Sequence, residues 1–162
     1  GMKNILTKKL FYFLALFTVS FSAFAQDEVE EMPLEVVIDM DFNKSIYPEN
    51  EGNAYFSNEP KAALIGMIVP KKYSEIIAEM KNENPEGIKN LKSGEFVEAG
   101  KKYFYYTGNI IVDNGTEIFM EVLVKPANEN ECIVITSMYE PSIKEKYGKE
   151  AKKAIISAKI QE

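Results

Sequence analysis

The 162-residue sequence contains no histidine, no tryptophan and a single cysteine, and all 19 of its basic residues are lysine. Each absence removes chemistry. Without histidine the commonest general base and the commonest transition-metal ligand are both missing. Ser-His-Asp and Cys-His arrangements are excluded outright. A zinc site would have to be built from carboxylates and one thiol, a poor donor set for that metal. Without arginine there is no bidentate clamp for phosphate or carboxylate. Lys, Asp, Glu and Tyr remain as acids and bases, but no catalytic motif joins them. The sequence therefore predicts a non-enzymatic protein with no cofactor.

The lone thiol, Cys132, cannot close an internal disulfide. It sits in the β-branched run Glu131-Cys132-Ile133-Val134-Ile135, which predicts a buried strand and an inert structural cysteine. No cationic neighbour or base marks it as reactive.

What is present at the start of the chain is a three-part export pattern. Lys3, Lys8 and Lys9 precede an apolar run from Leu10 to Phe21, which ends at Ala23-Phe24-Ala25. Small residues at that A-x-A position suit a signal peptidase, and the run is short for a membrane span, which needs about 20 residues. Residues 1–25 thus read as a signal peptide, with Gly1 ahead of Met2 a cloning remnant and Gln26 the first mature residue. Gln26 stands where a lipoprotein would need Cys. The expected location is periplasmic or extracellular, with no stable membrane span after cleavage. Residues 26–162 keep 16 lysines (19 less Lys3, Lys8 and Lys9) against all 25 acidic residues, a net charge of −9. Such a surface repels nucleic acid and anionic lipid and favours solubility. The partner class left open is an envelope or extracellular protein.

Residues 26–33 are acidic with little to bury and read as a flexible tether. Residues 34–162 read as a single domain. Leu34–Phe42 is an expected first strand, Asn43–Asn53 a loop, Ala54–Ser57 a short strand and Ala62–Val69 a buried strand ending at Pro70. Tyr73, Ile76, Ile77 and Met80 recur at helical spacing, so Lys71–Lys81 is an amphipathic helix. Asn82–Ser93, with Pro85 and Gly87, is an expected loop with room for a second short helix. A meander follows: Glu95–Ala99, a turn at Gly100-Lys101, then Lys102–Val112, Thr116–Lys125 and Glu131–Tyr139. Asn114-Gly115 predicts a two-residue type I′ turn between the middle strands. Pro141 opens a terminal helix, with Ile143, Tyr147, Ala151, Ala154, Ile155 and Ala158 along one stripe and Gly148 weakening its first half. Tyr103 and Tyr105 fall on one face of the long strand and Phe104 and Tyr106 on the other, which calls for cover on both. The expected fold is α+β, an antiparallel sheet of about six strands with helices on both faces, an α/β/α sandwich.

This order of elements resembles the PsbP-like family. The resemblance spans about residues 36–160. It runs through Ile68-Val69-Pro70 into the helix Lys71–Lys81, then Gly94-Glu95-Phe96, the hairpin at Asn114-Gly115, the strand Cys132–Thr136 and the helix end Ala154-Ile155-Ile156-Ser157. It implies an α/β/α sandwich acting as a binding or assembly module without a shared catalytic site, and it transfers no individual residue role. The short, interrupted first strands depart from the family pattern.

Two constellations stand out. Asp39-x-Asp41-x-Asn43 resembles the start of a calcium loop, but Lys44 and Asn50 hold the positions that require Gly and a bidentate Glu. A strand edge followed by a polar loop explains it without metal. In the run Tyr103-Phe104-Tyr105-Tyr106, Tyr103 and Tyr105 are candidate ligand-platform residues. Ordinary sheet packing accounts for the same rings. Asn43-Lys44-Ser45 and Asn114-Gly115-Thr116 match the glycosylation sequon. The functional expectation is an exported binding or assembly domain. Its alternatives are a small hydrolase of the cell envelope using carboxylates, Lys and Tyr, and a calcium-dependent module.

Overall fold

The computed structural model describes residues 36–82, 85–112 and 115–161. The expected signal peptide, the expected tether, the start of the expected first strand, Asp113 and Asn114 lie outside the described residues. In chain order the elements are β1 (Ile38–Asp39), β2 (Glu49–Glu51), β3 (Ala54–Ser57), β4 (Ala62–Val69), α1 (Tyr73–Asn82), β5 (Ile88–Glu98), β6 (Lys101–Val112), β7 (Thr116–Pro126), β8 (Cys132–Tyr139), α2 (Lys144–Ser157) and β9 (Lys159–Ile160). Strands β2 to β8 form one seven-stranded antiparallel sheet in the order β2-β3-β4-β8-β7-β6-β5, and β1 pairs with β9 in a separate two-stranded ribbon.

The apolar runs decide the centre of the sheet. Every residue of β8 is buried, as a strand covered on both faces requires. Cys132 is fully buried there, and burial pushes its thiol up to about 11, so it is inert at neutral pH. On one face Ile76 and Met80 of α1 pack with Phe104, Tyr106, Met120, Val122 and Val134. On the other, Tyr147, Ala151, Ala154 and Ile155 of α2 pack with Tyr103, Leu123, Ile133 and Ile135. The alternation expected for the four-aromatic run holds. Each helix is short beside a seven-stranded sheet, so the architecture is mainly sheet and two helices rather than a full three-layer sandwich.

Four expectations need correction. The segment expected as a first strand contributes only Ile38–Asp39 to pairing, and to β9 rather than the main sheet. Ile38, Met40 and Phe42 are instead buried against the sheet face that α2 covers, so this stretch lies across the core as a strap. Asn53 fixes its start, accepting from Ile38 N at 3.0 Å and donating to Val36 O at 2.8 Å. The expected loop over residues 43–53 contains β2. The sheet has seven strands rather than about six, largely for that reason. The second half of the expected loop over residues 82–93 is strand: β5 starts at Ile88. Its alternation is hidden by a bulge, where Asn90 and Leu91 together face Gly108 between the pairs Lys89↔Asn109 and Lys92↔Thr107. Helix α2 starts at Lys144 and runs through Gly148, where the Tyr139 hydroxyl approaches so closely that an added Cβ would lie 2.9 Å from it.

One turn also differs from expectation in place. Glu98↔Lys101 brackets a two-residue loop, Ala99-Gly100, with positive φ at both (+50° and +77°), as a type I′ turn demands. A non-glycine residue in that region costs about 1 kcal/mol. Ala99→Gly should therefore stabilise the domain by roughly 0.5–1 kcal/mol, part of the gain being offset by added unfolded-state freedom. The urea midpoint should rise with an unchanged denaturant slope. At the other hairpin, Val112↔Thr116 brackets a three-residue loop ending at Gly115, whose φ is +81°. The hairpin and the strand ends expected for it stand; the expected type I′ conformation involves Asn114, which lies outside the described residues. Gly115→Val should still cost about 1–2 kcal/mol because a β-branched residue resists positive φ. An unmoved melting temperature would refute the β6–β7 register.

Candidate functional site

The half of the sheet formed by β5, β6 and β7 carries a groove on the face that α2 flanks. Its volume is about 1060 Å³, at the upper limit of small-molecule sites. Phe96, Tyr105, Phe119 and Tyr139 supply aromatic walls, with Glu121 on the floor and Lys144 and Lys152 from α2 on the lip. Local chemistry places each of these. On β7, Phe119, Glu121 and Leu123 share one face by simple alternation, and Thr107 is paired directly opposite Glu121 on β6. The bulge re-aims Asn90 and Leu91, whose neighbour Lys92 joins the lining; Asn90 tolerates its φ of +57° because its side chain can bond locally.

Glu121 is the unusual residue. It stands between Phe119 and Leu123 on its face of β7, largely removed from water, and its Oε1 is buried without a hydrogen-bond partner. Burial holds its carboxyl at about 7, well above the ordinary carboxylate range, despite opposing pulls from Lys144, Tyr139 and Lys152. Its neighbour Tyr139 is fully buried, and its hydroxyl is pushed up by burial and by the Glu121 charge. Lys144 and Lys152 do not pair with this carboxylate. Lys144 Nζ rests 4.2 Å above the Phe119 ring, and Lys152 Nζ lies 5.0 Å above Phe96 and 3.5 Å from Glu98.

Of the two expected platform residues, the structure brings only Tyr105 to the groove. Its ring lies across Gly94 on β5, where an added Cβ would meet the hydroxyl at 2.7 Å. Tyr103 is buried and stacks on the inner side of Phe96, with ring centroids 5.0 Å apart and planes at 11°. The three calcium-loop residues sit on the strap, remote in sequence and element from the groove. Asp39 is paired with Lys159 in the ribbon. The Asp41 N–H donates to Ser157 Oγ at 2.7 Å, and the Asn43 N–H donates to Glu150 Oε1 at 2.8 Å. Asn43 Oδ1 accepts from Ser45 N at 3.2 Å, capping a single 3₁₀ turn. These contacts tie the strap to α2. Among the described residues no group of three or more His, Cys, Asp or Glu side chains converges as a metal site, and no helix is long and apolar enough to cross a membrane.

Sequence reasoning missed Glu121, Phe119, Tyr139 and the lip lysines. A signal for the first was available: a glutamate in phase with Phe119 and Leu123 on a strand expected to be covered on both faces.

No family model matches the chain, and no curated protein matches it. Among solved structures it is similar to LpqN, involved in cell envelope biogenesis of Mycobacterium tuberculosis, at 11% identity and a TM-score of 0.47, over 80% of this chain and 86% of that one.

Proposed function

We propose that this protein is an exported, non-enzymatic binding domain of PsbP-like architecture, and that the groove beside α2 is its ligand seat. The observation that carries the reading is Glu121. A buried carboxyl with an unpartnered oxygen lowers stability at neutral pH, and an apolar residue in phase with Phe119 and Leu123 would not. Groups retained at such a cost, in a concave aromatic lining, are characteristic of binding and reaction sites. The export half of the reading rests on the lysines, the apolar run and Ala23-Phe24-Ala25. N-terminal sequencing from the native host should find Gln26 first; a soluble cytoplasmic protein beginning at Met2 would sink it.

The groove assignment is tested by filling it. Thr107 faces Glu121 from β6, so Thr107→Trp should abolish one-to-one binding of the dye anilinonaphthalene sulfonate while the circular dichroism spectrum stays native. Unchanged dye binding in the variant would place the seat elsewhere. The hydrolase alternative retains one point in its favour, a carboxyl poised near neutrality for proton transfer. Turnover of any ester or glycoside that is lost in Glu121→Gln would replace the binding reading.

A further inference from the structure

We propose that the groove takes an anionic amphiphile, its headgroup held between Lys144, Lys152 and the Glu121–Tyr139 pair and its apolar body laid along Phe96 and Tyr105. This rests on the groove being the ligand seat and adds the class of ligand.

The chain is strongly acidic overall, yet the lining holds Lys92, Lys144 and Lys152 against Glu121 and Glu145. Glu98, outside the lining, partners Lys152 at 3.5 Å. The groups around the groove are thus close to balanced in charge while the whole chain is strongly acidic, so an anion meets less repulsion here than elsewhere on the surface. Lys144 is parked on an aromatic ring rather than on a carboxylate, so an incoming anion meets an ammonium that no described carboxylate holds in an ion pair. The Glu121–Tyr139 pair completes the seat. Tyr139 stays protonated throughout the neutral range. Glu121, half protonated near neutrality, can donate a hydrogen bond once it carries its proton. Protonated carboxyls in apolar sites act as donors to anions in this way.

An anion beside Glu121 must raise its proton affinity further. The charged and titratable groups facing Glu121 are Tyr139 from β8 and Lys144 and Lys152 from α2; Lys92 on β5 and Glu145 on α2 lie in the same lining. Headgroup binding above pH 7 therefore takes up about one proton. The proton comes from buffer and forms the Glu121 O–H that then donates to the headgroup. The anionic chemistry is shared by a carboxylate and by an alkyl phosphate. The apolar body needs only a flexible chain, since Phe96 and Tyr105 both line the groove and are half-buried.

The test is calorimetric titration of residues 26–162 with decanoate, decyl phosphate, the neutral octyl glucoside and decyltrimethylammonium, each below its micellar concentration. Decanoate should bind at one site, more tightly at pH 6.5 than at pH 8.5. Its heat should differ between buffers of different ionisation enthalpy by the amount for one proton taken up at pH 8. Lys144→Gln should weaken it about tenfold, as loss of one charged hydrogen bond implies. Lys149→Gln, on the exposed side of α2, should leave it unchanged. Glu121→Gln should abolish the proton uptake. Preference for decyl phosphate over decanoate would select a phosphate headgroup over a carboxylate within the proposal. Equal or tighter binding of the neutral or cationic amphiphile would overturn the anion assignment and leave the groove as a ligand seat. Binding of decanoate indifferent to Lys144 and without proton uptake would also overturn it. Failure of all four probes to bind would remove the ligand-seat reading itself.

Discussion

Replacing Glu121 by Gln should stabilise the protein at pH 8.5 and leave it nearly unchanged at pH 4.5. The Glu121 carboxyl titrates at about 7 in the folded protein, against an ordinary value of 4.5 in the unfolded chain. Between those values the folded state holds a proton that the unfolded state has released. Stability of the wild type therefore falls as pH rises from about 4.5 to about 7, and it stays at the lower level above that. A displacement of this size corresponds to roughly 3 kcal/mol. The buried amide of the variant must also find partners, so the net gain at pH 8.5 should be nearer 1–2 kcal/mol. Thermal midpoints of the two proteins across pH read it directly, with a difference of roughly 5 °C on the alkaline side. A pH-independent difference would mean that Glu121 is ionised in the folded protein like any surface carboxylate.

The second large effect is expected at Gly108. A Cβ there would collide with Ile88 Cγ2 and approach the Lys89 carbonyl oxygen to 3.2 Å. Ile88 is β-branched, half-buried and packed against the α1-side core, which limits how far it can yield. Gly108 also stands opposite the two bulged residues, and moving β5 away from it would undo the bulge. Gly108→Val should cost roughly 2–3 kcal/mol, as overpacking of a filled core does. It should further displace Asn90, Leu91 and Lys92 from the groove, so binding should weaken beyond what stability alone explains. A variant with wild-type melting temperature and dye binding would show that β5 is not held in this register.

The readable elements are those whose pattern stays within one strand or helix. Ala62–Val69, Tyr73–Asn82 and Cys132–Tyr139 announce themselves through continuous apolar runs or helical spacing, because burial alone decides them. The first half of β5 does not. Lys89, Asn90, Lys92 and Ser93 are exposed on an edge strand, and the bulge breaks the period of two. The strap over residues 38–42 has the alternation of a strand, but its apolar side covers the sheet instead of extending it. Local pattern cannot distinguish those two placements. Asn114-Gly115 marked the hairpin, and the strand ends expected at Val112 and Thr116 are the pair that closes the β6–β7 ladder. The groove was still less legible. Its aromatic walls come from four strands and its lysines from a helix, so only Tyr105 was available to sequence reasoning, chosen as a strand aromatic. Glu121 became informative once β7 was known to be covered on both faces.

Carbon-detected NMR titration of the Glu121 side-chain carboxyl, with and without decanoate, tests the central claim most directly. The expected midpoint lies near 7 in the free protein and moves higher when decanoate is bound. A midpoint near 4.5 that decanoate does not shift would mean that Glu121 is neither buried at a cost nor part of a ligand seat.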